Sequence, residues 1–480
     1  MKEGLRGGLL NVLSESDVER IHAASIHLLE DCGLRCGTDL LLGVFARGGA
    51  SVDEGTRRVR IPRDLVEWAV AAAPKSFPFC GRDPRFDLLL EQPRVYFGMG
   101  GSAVPYFWDH ESSRLRDPVQ ADMALATRLG HALANVDFVM SLAAAGEVPS
   151  HLHYLYEYNA ILANTTKPVI YSAPSREYAR MFLEMAAAAS GGEAALRARP
   201  SVMLFTQPVS PLQIGPYNEG MVEFAAWGVP ILYSPGAMMG ATSPATLAGA
   251  LAQGNAENLA GVVLAQLLRP GTPVVYGPHT PVMDMVTMRC TYAGTEHSLG
   301  RAAMAQLARR YGLPSFSTGA GVDAAALDAQ AAAEASMGIF LNALAGLTLT
   351  QTMGTMGSGT FGSLEMLAVC DEIVAMAKHV LRGVAVTEET LALDAIEEVG
   401  PGGHFLDHEH TVRTFRHEFF FPHLFTRFGA SAWQTGEPED IRARARARIV
   451  QAQEQQASSP VDPAVVEALG ACLRRLSGGG

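Results

Sequence analysis

The chain has 480 residues, 48% of them hydrophobic, with 37 basic against 49 acidic side chains and a formal charge of −12. That is enough apolar material for one large or two medium domains with an ample core, and the acidic balance, with no basic cluster interleaved with aromatics, argues against nucleic acid or an anionic membrane as partner. The opening MKEGLRGGLLNVLSESDVER lacks an apolar run of signal-peptide length, no later stretch is long and apolar enough to span a bilayer, and the six cysteines form no C-x-x-C pair; a cytoplasmic protein with reduced thiols is expected.

Residues 1–93 read as a helical lead-in. Ser14-Glu15-Ser16-Asp17 can cap a helix over 17–32, with Val18, Ile21, Ile26 and Leu29 on one face. A second helix is predicted over 38–47, a hairpin around Glu54-Gly55, and a helix from Pro62 to Ala73.

From about residue 94 a regular alternation begins. Short apolar strands are predicted at Val95–Gly98, Phe138–Ser141, Val169–Ser172, Val202–Thr206, Ile231–Ser234, Val274–Gly277, Phe316–Thr318 and Leu347–Gln351. Helical stretches follow each of them: 118–134, 151–163, 176–189, 216–227, 244–268, 296–311, 328–344 and 363–381. Eight such units favour an α/β fold of the (β/α)8 TIM-barrel kind over 94–386. Three strand ends repeat, Val169-Ile-Tyr-Ser-Ala-Pro, Ile231-Leu-Tyr-Ser-Pro-Gly and Val274-Val-Tyr-Gly-Pro-His, as quasi-equivalent barrel units would. Residues 387–480 form a helical C-terminal extension, with helices near 388–398, 407–417, 438–456 and 463–475; the Arg-Ala run at 442–448 reads as a solvated helix face.

The last two units, 316–382, carry open glycine-rich loops after their strands, which is where a barrel places its active site. They include a literal G-x-G-x-x-G, Gly357 to Gly362, which would suggest a flavin or nicotinamide barrel. A dinucleotide fingerprint normally begins its domain and is followed by a second parallel strand ending near an acidic residue. Here it stands near the end of the fold, so a wrapping loop is the preferred reading.

Aromatics crowd the first barrel strand: Tyr96, Phe97, Tyr106, Phe107 and Trp108. Such a cluster can cage a quaternary ammonium through cation–π attraction, or simply pack the barrel. His279 stands just past a strand end, followed by Asp284 and His297. His404, Asp407, His408, His410, His417 and His423 crowd one region, but without an H-E-x-x-H and outside the barrel pattern, so no metal site is expected there. No nucleophile elbow, Walker loop or Cys-His dyad is present, and no catalytic residue can be assigned from these patterns.

Several stretches resemble a known family: Arg60-Ile-Pro-Arg-Asp-Leu-Val-Glu, Gly100-Gly-Ser-Ala, Ala241-Thr-Ser-Pro-Ala-Thr-Leu-Ala-Gly-Ala-Leu with Gly254-Asn-Ala-Glu-Asn-Leu-Ala-Gly, Val282-Met-Asp-Met, Ala308-Arg-Arg-Tyr-Gly-Leu-Pro, Asp328-Ala-Gln-Ala and Pro401-Gly-Gly-His-Phe-Leu. In order and spacing they are similar to the trimethylamine:corrinoid methyltransferases, in the branch without pyrrolysine. The resemblance implies a barrel that passes a methyl group from a methylated amine to the Co(I) of a separate corrinoid protein, with no tightly bound cofactor of its own. The pyrrolysine of other members would fall in or near 319–323, which here holds only Gly, Ala, Val and Asp. That absence points to quaternary donors such as glycine betaine; trimethylamine, a sulfonium donor, and a cation-binding barrel without turnover are the alternatives. The implied donor site takes Tyr96, Phe97, Tyr106, Phe107, Trp108, His279, His297, Gln351, Phe361 and Glu365, with Arg289 a further candidate for a donor carboxylate. The implied corrinoid-facing surface takes Gly98, Gly100, Gly101, Gly319, Gly321, Gly357 and Gly359. Members often carry a His after the eighth strand, where this chain has Gln351-Thr352. A homo-oligomer is expected.

Overall fold

The structure is a computed structural model that describes residues 4–101, 104–427, 429, 434, 440–455 and 459–478. Eight parallel strands form its centre: β1 (Tyr96–Met99), β2 (Phe138–Val139), β3 (Val169–Ser172), β4 (Val202–Thr206), β5 (Ile231–Tyr233), β6 (Val274–Tyr276), β7 (Phe316–Thr318) and β8 (Leu349–Met353). Their order is β6-β5-β4-β3-β2-β1-β8-β7. A parallel bridge between Tyr276 and Ser315, with Tyr276 N donating to Pro314 O at 2.8 Å, brings β6 against β7 and closes the ring. Each strand leads to an outer helix: α1 (Gln120–Ala132), α2 (His153–Leu162), α3 (Arg176–Ser190), α4 (Gly220–Trp227), α5 (Leu247–Leu268), α6 (Thr295–Tyr311), α7 (Ala329–Ala345) and α8 (Leu364–Leu381). The fold is the expected TIM barrel.

Alternation along the strands fills the barrel from both sides. Tyr96, Phe138, Ile170, Met203, Leu232, Val275, Phe316 and Leu349 meet inside. Their neighbours, including Phe97, Val139, Tyr171 and Leu204, face the helices. The lower end is stoppered by a hairpin absent from the expectations, Ser76–Phe79 paired with Leu88–Glu91, whose Phe77, Phe79, Leu88 and Leu90 join the interior cluster. Pro78 obscured it, since a proline demotes a run as a strand; here it occupies an exposed position between the two buried phenylalanines.

The N-terminal helices Glu15–His27 and Arg63–Ala72 pack on α5, which is therefore buried nearly all round and has no polar face. Strand Leu34–Cys36 pairs with Arg58–Arg60 and also with Gln213–Ile214, fastening this extension to the loop after β4. At the other end of the chain, helix Ile441–Gln455 packs on α8 and α1. The Arg-Ala run is thus a two-faced helix and not a solvated one: Ala445 and Ile449 are fully buried, and Arg446 reaches a buried carboxylate. Residues 383–421 differ. Their three helices, Glu388–Leu391, Leu393–Val399 and Glu409–Glu418, bury only Ala395, and Val384, Val386, Leu406 and Phe419 stand exposed.

Candidate functional site at the barrel mouth

The C-terminal ends of the strands surround a compact cavity of about 80 Å3. Phe205 of β4, Thr318 of β7 and Gln351 of β8 are the topmost inward residues. Loop residues Gly101, Gln207, His279, Tyr292, Thr352, Thr355 and Gly359 complete its wall. A small antiparallel and parallel sheet lies beside the mouth, in the order Thr355–Met356, Phe361–Ser363, Tyr106–Asp109, Arg114–Arg116. It accounts for the G-x-G-x-x-G, which forms the turn of a β-hairpin; Phe361–Ser363 then continues into α8, capped by Ser363. The glycines do not open a helix N-terminus as a dinucleotide cradle requires.

Two side chains fix the loops. Thr352, in the left-handed region at φ 79°, sits where the register of β8 shifts against β1. For a β-branched residue this is a strained conformation. Its hydroxyl oxygen accepts from Gly319, Ala320 and Gly321 N at 3.3, 3.2 and 2.7 Å, holding the loop after β7. Asp323 ties three loops together: Oδ1 accepts from Tyr292 N and from Ser358 Oγ, both at 2.7 Å, and Oδ2 from Ala293 N at 3.0 Å. Tyr292 is thereby held with its ring at the cavity.

Beneath this wall lies a buried polar group on α6. His297, Ser298 and Arg301 share the barrel-facing side of that helix. Arg301 is 1% exposed, and its Nη2 donates to Ser298 Oγ at 2.7 Å. Its Nη1 makes only long contacts, 3.4 Å to Tyr292 O and 3.5 Å to the cavity-lining Thr318 Oγ1, while Nε has no partner. Neither ring nitrogen of His297 makes a hydrogen bond of good geometry, and Thr280 Oγ1, Gln351 Oε1 and Thr355 Oγ1 are likewise unsatisfied. Buried polar groups are normally paired; of these, Gln351 and Thr355 line the cavity and the others lie outside its lining. His279 lies 6.0 Å from His297 between ring centroids, with Nδ1 3.3 Å from Ser234 Oγ. Burial pushes His279 down to about 4, and burial with the nearby Arg301 holds His297 well below the ordinary value. Both are neutral at neutral pH. Burial lowers Arg301 to about 10 against the pull of Asp323, which leaves it charged.

The structure brings His279, Gln351, Gly101 and Gly359 to the cavity, and His297 directly behind it. It separates the aromatic cluster of β1. Tyr96 points to the barrel floor, its hydroxyl donating to Leu89 O at 3.0 Å. Phe97 faces the helices, 6.0 Å from Lys378 Nζ. Tyr106, Phe107 and Trp108 are consecutive strand residues, so they alternate in direction and cannot converge. Phe107 is buried under the Arg116 guanidinium and Tyr106 is 47% exposed. Trp108 Nε1 donates to Glu365 Oε2 at 2.9 Å, and Arg446 Nε donates to Glu365 Oε1 at 2.6 Å. Phe361 is buried in the sheet opposite Tyr106. These residues brace the mouth from outside, and the aromatic wall of the cavity is Phe205 and Tyr292. Arg289 stands exposed on the hairpin Val282–Asp284/Arg289–Thr291.

The predicted glycines divide in the same way. Gly98, Gly100, Gly319 and Gly321 are buried by close packing: a Cβ at Gly98 would lie 2.3 Å from the Phe138 ring, and at Gly319 2.2 Å from Asn342 Nδ2. Gly101, Gly357 and Gly359 are part-exposed at the mouth. Phe205, Tyr292 and Arg301 were missed. Phe205 ends a correctly placed strand, and Arg301 stands four residues after His297, a spacing that signals a shared helix face. Among the described residues no group of His, Cys, Asp and Glu is arranged to hold a metal, and no helix is long and apolar enough to cross a membrane.

A profile of the trimethylamine methyltransferase (MTTB) family matches residues 5–479. The trimethylamine methyltransferase MttB of Desulfitobacterium hafniense (strain DSM 10664 / DCB-2) is 36% identical over 405 residues, 84% of this chain and 81% of that protein. The glycine betaine methyltransferase of D. hafniense (strain Y51) is 32% identical over 461 residues, 95% of each. The crystal structure of the Methanosarcina barkeri monomethylamine methyltransferase (MtmB) covers 96% of both chains with a TM-score of 0.48 and 13% identity. The chain is a methyltransferase and belongs to the trimethylamine methyltransferase (MTTB) family.

Proposed function

We propose that this enzyme takes a methyl group from a quaternary amine such as glycine betaine and delivers it to the Co(I) of a corrinoid carried by a separate protein docked over the mouth. The observation that carries this reading is the mouth cavity itself, with an aromatic wall and unpaired polar atoms at the strand C-termini. Phe205 and Tyr292 bring aromatic rings to the cavity wall, where an ammonium can meet them, and Gln351 Oε1 offers a carbonyl dipole. Gly101, Gly357 and Gly359 leave the rim without side chains, so a broad flat group can approach the cavity. The corrinoid's Co(I) supplies the electron pair for the new bond to the methyl carbon, while nitrogen keeps the N–C pair and leaves as a neutral tertiary amine. The chain's own contribution is orientation: lining up an N–CH3 bond can supply a large share of the rate. No proton needs to move, which suits two neutral histidines. We further propose self-association through the apolar surface of 383–421.

The test mixes the protein with chemically reduced cob(I)alamin and glycine betaine and follows loss of the Co(I) band and growth of methyl-Co(III). Conversion supports the reading. No conversion with free cob(I)alamin or with a cognate corrinoid protein refutes it.

A further inference from the structure

The hairpin Val282–Asp284/Arg289–Thr291 contributes nothing to the cavity lining, yet it is inserted between two residues that do line it, His279 and Tyr292. None of residues 282–291 is buried, so the hairpin stands out from the mouth. Its base is fastened to the loop after β5: Met239 N donates to Pro281 O at 2.7 Å, and Met283 N donates to Met239 O at 3.0 Å. Asp284 fixes the turn. Its carbonyl oxygen accepts from Met288 N at 2.7 Å, Oδ1 from Val286 N at 2.9 Å and Oδ2 from Thr287 Oγ1 at 2.6 Å. Met288 is held in the left-handed region at φ 59°, which a residue with a side chain seldom adopts. This fixed turn presents three apolar side chains to solvent: Met285 is 68% exposed, Val286 91% and Met288 65%. Single exposed apolar residues need no explanation, but three on one four-residue turn do. The loops after β1 and β4, on the same face of the barrel, add the exposed Leu115, Val209 and Tyr217. These six side chains offer on the order of 600 Å2 of apolar surface, against ~800 Å2 per partner in a standard interface. The lower end of the barrel is filled and stoppered, so whatever exchanges a methyl group with the cavity arrives across this face and meets the turn.

We infer that the turn 285–288 is the element by which the chain recognises its methyl acceptor: the protein that carries the corrinoid seats an apolar recess on Met285, Val286 and Met288, and this contact sets its register over the cavity. The inference rests on the proposed transfer to a separate corrinoid protein and adds which residues choose that protein. The pliable methionine side chains suit a surface that moulds to another protein, while the bonded turn keeps the ordering cost of docking low. The strand Arg289–Thr291 runs from the turn directly to Tyr292, so a carrier held there lies beside the aromatic wall.

The double change Met285→Ser, Val286→Ser in the full chain tests this. Exposed positions of this kind leave stability nearly untouched, and neither residue lines the cavity. The probes are the source organism's corrinoid proteins loaded with hydroxocobalamin, for titration calorimetry, and the same proteins reduced to Co(I) beside free cob(I)alamin, for transfer from glycine betaine. The double variant is expected to bind the carrier at least ~30-fold more weakly, the effect of losing an interface hot spot. It should also methylate sub-saturating carrier more slowly by a similar factor, and methylate free cob(I)alamin at the parent's rate. Leu9→Ser is the control: Leu9 is exposed at the lower end, where its N donates to Leu344 O at 2.7 Å, and its loss should change neither binding nor transfer. Undiminished carrier binding in the double variant overturns the inference, as does an equal loss of transfer to free cob(I)alamin or a parent that binds no carrier. A double variant that changes oligomeric state in light scattering and still binds the carrier gives the turn to a second copy and overturns it too. Turn-dependent carrier binding without methyl transfer from any donor keeps the inference and removes the proposed activity. Transfer to free cob(I)alamin with turn-independent carrier binding does the reverse.

Discussion

A steric test of the cavity starts at Gly101. A Cβ built there lies 3.3 Å from Thr352 Cγ2 and 3.6 Å from Gln351 Oε1, so a side chain at this position projects across the mouth beside Gln351. The backbone of Gly101 is not among the left-handed residues, so a larger residue meets no backbone strain. Gly359, also on the wall, has φ 81° and does not offer a clean substitution. Each added carbon takes about the room of a water in the liquid, roughly 30 Å3. Gly101→Ala therefore removes more than a third of the 80 Å3 cavity, and Gly101→Val, with roughly 90 Å3 of added carbon, fills it. One surplus carbon in a fitted pocket costs about 1–3 kcal/mol. Gly101→Ala should weaken donor binding by ~10-fold, and Gly101→Val should remove measurable binding and transfer. Far-UV circular dichroism and thermal unfolding of both variants should match the parent to within about 1 kcal/mol, because the residue is part-exposed in a loop. Titration calorimetry and methyl-cobalamin formation provide the readout. Undiminished affinity and turnover in a folded Gly101→Val protein would refute the assignment of this cavity to the donor.

Removing the barrel stopper should be costly: Phe79 is fully buried inside the lower end, and Phe79→Ala is expected to lose about 3–5 kcal/mol, read from the urea midpoint at unchanged m. Arg446→Ala leaves the buried Glu365 with Trp108 alone and should cost about 1–3 kcal/mol, with Glu365→Gln in that background recovering stability; unchanged melting temperatures in both would remove this brace. Burial lowers His22, His131 and His279 to about 4, so the folded state binds fewer protons than the unfolded chain between there and the ordinary value of 6.5. Stability is then full above pH 6.5 and is lost as the pH falls towards about 4, and a flat stability profile over that window would contradict the buried neutral histidines. Light scattering coupled to size exclusion should give more than one subunit for the parent and a monomer for the double change Leu406→Glu, Phe419→Glu; a monomeric parent sinks the self-association proposal.

The barrel was legible because its signal is local and repeated. Each strand is an apolar run with two buried faces, and each following helix begins after a polar or glycine-rich break. All eight strands fall where that pattern put them. The lower hairpin was hidden by Pro78, although the alternation of Phe77 and Phe79 was there to be read. The helix at 442–448 was misjudged because arginines at every second position disguise the buried Ala445 between them, and only the packing on α8 shows which face is inside.

The mouth cavity was harder to read for a different reason. Aromatic density in sequence suggested a cage around β1, but neighbouring residues of a strand point apart, so density along the chain does not give convergence in space. The aromatics that do meet at the cavity, Phe205 and Tyr292, come from the end of β4 and the loop after β6 and are separated by more than eighty positions. Arg301 was invisible because a helical arginine is ordinarily a surface residue. What makes it exceptional is a relation among three loops: Asp323 commits its oxygens to the backbone at Tyr292 and Ala293 and to Ser358, Thr352 pins the loop after β7, and the guanidinium below them is left with neutral partners. Charge compensation is a property of the assembled mouth and is not written in any one stretch of the sequence. Converting Asp323 to Asn would remove the carboxylate charge that opposes the effect of burial on Arg301. By Coulomb's law that deepens the positive potential behind the cavity, while the Tyr292 loop, no longer held by Asp323, loosens part of the aromatic wall.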